Sequence, residues 1–224
     1  HWEAEQFEDL VSFILEPDQT QTYFAGELAI HVENLVSILD SIVDELVEFQ
    51  DGDIRPHLYA YIEELLRGYQ RENLVKLEGT LPTFDEYLEF AQITVAVRLT
   101  LVFALYGMDL SKLQINFAAC DQLLVMASDI ARIFNDIRSY DRERDEGKIN
   151  SVDIVMQYQG LNYEQAVKWL QTFARFRMRD MLKFCQEDNS LSHEIKTLLL
   201  NVCRVTAWMY KQADFHEHKA DMRF

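Results

Sequence analysis

Glycine and proline are scarce in this sequence, seven and three among 224 residues. That scarcity excludes a fold built on many tight turns and predicts long, uninterrupted elements. Cysteine is as scarce as proline: Cys120, Cys185 and Cys203 are odd in number and lack metal-type spacing. A disulfide framework and a Cys/His zinc site are therefore excluded, and a reduced, cytoplasmic setting is expected. Basic residues are outnumbered by acidic ones, 21 against 38, for a net charge of −17. Such a surface repels phosphate backbones, so no nucleic-acid partner is expected. A small anionic substrate would meet the same field unless cations intervened. No apolar run reaches the roughly 18–20 residues that span a bilayer, so no transmembrane segment is expected, and no secretory leader pattern opens the chain. Gly-rich phosphate loops and nucleophile elbows are also missing.

What is there is apolar and helical. Hydrophobic residues make up 49% of the chain, enough for a folded domain with one sizeable core. They recur at helical spacing, and alternating strand patterns are hard to find. The periodicity predicts helices over 2–15, 21–50, 55–79, 83–107, 111–144, 151–159, 162–187 and 190–218. Thr83 and Ser111 are candidate N-caps, and Asn162 with Gln165 resembles a capping box. The fold class is all-α: one domain over residues 1–224, with helices long enough to line a shared interior.

The segment 121–143 carries the functional question. At ~100° per residue, most of its circumference is apolar, filled by Leu123, Met126, Ala127, Ile130, Ile133 and Phe134. A limited polar stripe runs through Ser128, Arg132, Asn135, Ser139 and Glu143. A helix apolar on most sides is buried, and its stripe must then meet buried partners or a wet cavity. Asn135, Ser139 and Glu143 lie at i, i+4 and i+8, about 6 Å apart per step. An amide oxygen, a hydroxyl and a carboxylate are hard oxygen donors suited to Mg²⁺. Arg132 and Arg142 flank them and are suited to gripping the anion that such a cation neutralises. A metal-bound phosphate or diphosphate is implied. The competing reading is a solvated stripe held by ion pairs along the helix, such as Asp129 with Arg132.

Asn135-Asp136-x-x-Ser139-x-x-Arg142-Glu143 resembles the second metal motif of class I terpene synthases, with every defined position matched. The run Pro82, Glu86, Tyr87, Leu88 is similar to that family's Pro-x-x-x-Glu-Tyr-Leu segment. Arg132 is similar to a diphosphate-binding arginine of plant-type members. The resemblance covers about residues 60 to 215. It implies an α-helical bundle of the isoprenoid synthase type around an apolar cavity, here without some N-terminal helices. It further implies a Mg²⁺-dependent terpene synthase or cyclase. Such an enzyme ionises a prenyl diphosphate, C15 or C20, with three Mg²⁺ or with Mn²⁺, then cyclises or quenches the cation and releases diphosphate. Asn135, Ser139 and Glu143 would ligate one ion, while Arg132 and Arg142 would bind diphosphate.

The family's first metal motif, Asp-Asp-x-x-Asp, has its best counterpart in Asp40-Ser41-x-x-Asp44, where Asp40 and Asp44 share a helix face. A solvated acidic face that also carries Glu33, Glu45 and Glu48 is the alternative there. Phe90 and Thr94 on one face, and Trp208 near the chain's end, would line the hydrocarbon pocket; otherwise they are plain core. Lys148, on the loop after the motif, would close over diphosphate or remain a solvent-exposed lysine. Long helices pair in such folds, so a homodimer is an expectation. The other functional readings are a prenyltransferase of related fold and a non-catalytic relative that binds an isoprenoid or a partner.

Overall fold

The computed structural model describes residues 27–50 and 52–212. Among them are eight α-helices and no strand. In chain order these are α1 (Glu27–Phe49), α2 (Arg55–Glu78), α3 (Phe84–Thr94), α4 (Val97–Tyr106), α5 (Phe117–Asp145), α6 (Ser151–Gln159), α7 (Tyr163–Glu187) and α8 (His193–Gln212), with a 3₁₀ turn at Leu110–Lys112. The predicted helix over 2–15 lies outside the described residues. No single described helix is long and apolar enough to cross a membrane.

The 29-residue α5 is the axis of the fold. Its N-terminal half packs Leu123, Leu124, Ala127 and Ile130 against Leu101, Val102 and Leu105 of α4, Met181 of α7, and Ile195, Leu199 and Cys203 of α8. Its C-terminal half carries Ile133 and Tyr140 into a second cluster with Tyr87, Phe90 and Ala91 of α3, Val152 and Val155 of α6, and Leu170 of α7. Each fully buried side chain of this size contributes roughly 1.5–3 kcal/mol. Burial on nearly every side is what its sparse polar stripe predicted.

Two helix boundaries differ from the sequence reading. The expected single helix over 83–107 is two, α3 and α4, bent by 41°. At the junction Ala96 adopts a left-handed conformation, φ 59°. Four of the five residues Ile93, Thr94, Val95, Ala96 and Val97 are β-branched and lose χ1 freedom in a helix. The break leaves the Thr94 carbonyl free to accept from the Tyr69 hydroxyl at 3.1 Å. Gly68 of α2 allows the close approach here, since a Cβ on it would stand 2.9 Å from Ile93 Cγ2. The second difference is that α5 starts at Phe117 and not near Ser111. Asn116, in extended conformation, accepts from the Ala118 and Ala119 N–H groups at 3.1 and 3.2 Å. Ser111 instead belongs to the 3₁₀ turn, where its hydroxyl donates to Asp109. The other cap predictions hold: Thr83 with Glu86 and Asn162 with Gln165 both form capping boxes.

Candidate metal and diphosphate site

The polar stripe of α5 is enclosed. Arg132 and Glu143 are each 7% exposed and Ser139 is 1% exposed, while Asn135 is half-buried. At its centre is Asp136, fully buried, whose Oδ1 meets Arg132 Nε at 2.7 Å. The Tyr87 hydroxyl of α3 donates to Asp136 Oδ2 at 2.7 Å and accepts from Arg132 Nε at 2.7 Å. The Ser151 N–H at the start of α6 donates to the same Oδ2 at 3.1 Å. A buried charge without partners is costly, so this set of contacts is what lets an Arg and an Asp sit inside the helix layer. Burial alone would lower the Arg132 pKa, but Asp136, Tyr87, Glu72 and Glu143 outweigh it and keep the guanidinium firmly charged.

The residues after α5 fold back along it. The Lys148 N–H donates to the Glu143 carbonyl at 2.8 Å. Asn150, fully buried, caps α6 by accepting from the Val152 N–H at 2.9 Å. Its Nδ2 donates to Glu143 Oε2 at 2.8 Å and to the Asp136 carbonyl at 2.9 Å. The second Glu143 oxygen lies 3.8 Å from an Arg142 guanidinium nitrogen. Burial pushes the Glu143 carboxyl above its ordinary range, and Asp136 adds to this while Arg132 and Asn150 partly offset it. Such a carboxylate gains from a nearby cation. The Ser139 hydroxyl donates to the Asn135 carbonyl at 2.7 Å, leaving its oxygen lone pairs as acceptors.

Glu72 on α2 stands near the same charged network. Its charge acts on Arg132, Tyr87 and Tyr69. Its Oε2 is buried with no hydrogen-bond partner. The Glu143 carboxylate, the Asn135 amide and the Ser139 hydroxyl are oxygens of the kind a hard divalent cation takes, and Glu72 adds a carboxylate near Arg132. Sequence reasoning missed Glu72, one of several acids on α2, and Asn150, a loop residue.

The other candidates are placed as follows. Asp40 accepts from the Tyr59 hydroxyl at 2.5 Å, and the exposed Asp44 pairs with Arg55 at 2.5 Å. Tyr59 precedes Tyr69 and Glu72 on α2 by 10 and 13 residues, so the Asp40–Asp44 pair stands roughly 15–20 Å along the helix from the Arg132 level. Among the described residues no three His, Cys, Asp or Glu side chains converge on one point, so these two carboxylates are not gathered with Glu143. Phe90 is buried edge-on to Tyr87, their ring centroids 5.4 Å apart. Thr94 is buried beside Gly68. Trp208 is 61% exposed on α8. The exposed Lys148 pairs with Glu146 at 2.6 Å. Asp129 pairs with Arg177 of α7 at 2.9 Å and not with Arg132.

Residues 2–180 match the family model described as "Terpene synthase family 2, C-terminal metal binding". Ent-beyerene synthase KSL2, chloroplastic, from Oryza sativa subsp. japonica is 27% identical over 217 residues, 94% of this chain and 26% of that protein. Ent-kaurene synthase CPS/KS, chloroplastic, from Physcomitrium patens is 30% identical over 206 residues, 88% of this chain and 22% of that protein. The chain thus spans about a quarter of the length of these two relatives. Isoprene synthase from grey poplar leaves (Populus x canescens), in complex with three Mg²⁺ ions and dimethylallyl-S-thiolodiphosphate, superposes with a TM-score of 0.78 at 18% identity, covering 93% of this chain and 41% of that one. That likeness shows a shared fold.

Proposed function

The chain belongs to the terpene synthase family, in its family 2 metal-binding group, and from that premise we propose that it forms the metal- and diphosphate-binding part of a class I terpene synthase. The substrate is a prenyl diphosphate and the products are a hydrocarbon skeleton and diphosphate. The observation that carries this reading is the enclosure of Arg132, Ser139 and Glu143 on one ridge of α5, with hard oxygens and a guanidinium side by side.

Asn135, Ser139 and Glu143 would hold one Mg²⁺. When bound, the ion offsets negative charge developing on the departing diphosphate. Arg132, kept charged and aimed by Asp136 and Tyr87, donates to the phosphate oxygens without having to reorganise. Arg142, between Glu143 and Glu146, lies on the same side and adds a second guanidinium. The buried contacts of Tyr87, Asn150 and Ser151 keep water out of the layer beneath the ridge, where the charged groups consequently interact more strongly than they would in water. Mg²⁺ binding by the grey poplar enzyme supports the choice of metal, and Mn²⁺ satisfies the same donors. Ent-beyerene and ent-kaurene are C20 skeletons, so a C20 diphosphate is the first substrate to try and C15 the second. Asp40 and Asp44 each have one carboxylate oxygen engaged, by Tyr59 and by Arg55, which does not by itself bar either from binding a cation.

Incubation with C10, C15 and C20 prenyl diphosphates, with and without EDTA, tests the reading. Metal-dependent release of diphosphate and hydrocarbon is expected, lost in the Asn135→Ala, Glu143→Ala double variant. Equal product with EDTA, or product from the double variant, would contradict the mechanism. Longer chains appearing on addition of isopentenyl diphosphate would point to prenyl transfer instead.

A further inference from the structure

Asn150 is a loop residue that spends its whole side chain on the ridge. Both Nδ2 hydrogens are committed, one to Glu143 Oε2 at 2.8 Å and one to the Asp136 carbonyl at 2.9 Å. Its Oδ1 is committed to the Val152 N–H at 2.9 Å. An amide with three bonds and full burial has one orientation open to it. Its grip on Glu143 is therefore rigid. It is also selective, because it takes Oε2 alone; the other oxygen is 3.8 Å from Arg142, beyond hydrogen-bond reach, and the Ser139 hydroxyl also acts on this carboxylate.

We propose that Asn150 is a positioning residue that fixes the Glu143 carboxylate for metal ligation, binding Oε2 so that the other oxygen is the one presented to the ion. The inference rests on the reading of Glu143 as a metal ligand. Two facts favour positioning over helix capping alone. A cap needs only an acceptor, and serine serves nearly as well as asparagine at that place. The two N–H donors have no part in capping, yet both are spent on α5, one of them on the residue that ends the ridge. A residue that holds a ligand in place without touching the ion typically changes metal affinity by about 10–100-fold when removed.

The test uses the full chain, inorganic pyrophosphate and Mn²⁺ followed by electron paramagnetic resonance, with thermal unfolding measured in parallel. Asn150→Ser keeps the acceptor for the Val152 N–H and deletes both donors. Asn150→Asp keeps the shape and the cap but places a carboxylate against Glu143. Glu143→Gln reports on the ligand itself. The expected result is a loss of Mn²⁺ affinity of about 10-fold or more in Asn150→Ser and a larger one in Asn150→Asp. The Asn150→Ser melting temperature should fall by roughly 5–15 °C, as the loss of two buried hydrogen bonds implies, with the variant still folded where affinity is measured. If Glu143→Gln loses binding while both Asn150 variants bind as the unchanged chain does, the positioning role is overturned and the metal reading stands. If Glu143→Gln binds Mn²⁺ and pyrophosphate normally, or the unchanged chain binds neither, the metal reading falls and the inference with it. Should Asn150→Ser unfold, Asn150→Asp decides alone, and unaltered affinity there overturns the proposal.

Discussion

Tyr87→Phe removes one oxygen from a place that water does not reach. The hydroxyl bridges Asp136 and Arg132 at 2.7 Å to each, and the residue is fully buried. A hydrogen bond to a charged group contributes roughly 1.5–3 kcal/mol, so two of them set a ceiling of about 6 kcal/mol. The ceiling is not reached, because part of the network survives. Arg132 Nε and Asp136 Oδ1 remain in contact at 2.7 Å, and Asp136 keeps the Ser151 N–H at 3.1 Å. The phenyl ring also preserves the stacking of the Arg132 guanidinium, 5.3 Å from the ring centroid. The expected loss is therefore about 2–4 kcal/mol, the cost of leaving two buried charged groups each one partner short. In a chain of this length that corresponds to a fall in Tm of roughly 5–15 °C. Urea unfolding followed by far-UV circular dichroism gives the free energy, with an unchanged m-value required for the comparison. A loss under about 0.5 kcal/mol, the size expected of a surface substitution, would refute the picture of a closed network beneath the ridge.

Two further outcomes follow from the packing around α5. Asp129 is 2% exposed, and burial pushes its carboxyl up to about 6 in spite of Arg177. A carboxyl raised in the folded state favours folding while protonated, so its contribution is full below the ordinary carboxyl range and lost as pH rises through about 6. Asp129→Asn cannot ionise and should flatten the fall in stability between about pH 4 and pH 7 by up to about 3 kcal/mol; parallel unfolding profiles for the two proteins would contradict this. At the α3–α4 junction, Ala96 holds φ 59°, which costs an L-residue roughly 1–2 kcal/mol. Ala96→Gly should relieve that strain and, after glycine's larger unfolded-state entropy, leave a gain of about 0.5–1 kcal/mol; a lowered Tm would show that the bend is not strained.

The ridge was legible in the sequence because a helix reports its own geometry: i, i+4, i+8 spacing places Asn135, Ser139 and Glu143 together whatever surrounds them. The apolar circumference of the segment likewise announced its burial, and Leu123, Ile130 and Ile133 are all fully buried. What periodicity cannot report is which partner arrives from another element. Asp40 and Asp44 do share a face, but that face meets Tyr59 and Arg55. Asp129 could have paired with Arg132 along its own helix, yet Arg177 of α7 reaches it and Arg132 turns to Asp136. Glu72 and Asn150 belong to the site through tertiary placement, and nothing in their local sequence separates them from neighbouring polar residues. The α3–α4 break escaped notice because no glycine or proline marks it. The signal was a run of β-branched residues, which weakens a helix without forbidding it.

The central claim is that one buried ridge of α5 captures a divalent cation and, through it, a diphosphate. Anomalous diffraction from crystals of the chain grown with Mn²⁺ and inorganic pyrophosphate tests it most directly. The account predicts a peak about 2.0–2.3 Å from oxygens of Asn135, Ser139 and Glu143, with pyrophosphate density against the Arg132 guanidinium. A peak between Asp40 and Asp44 with none at the ridge, or pyrophosphate bound away from Arg132, would contradict it.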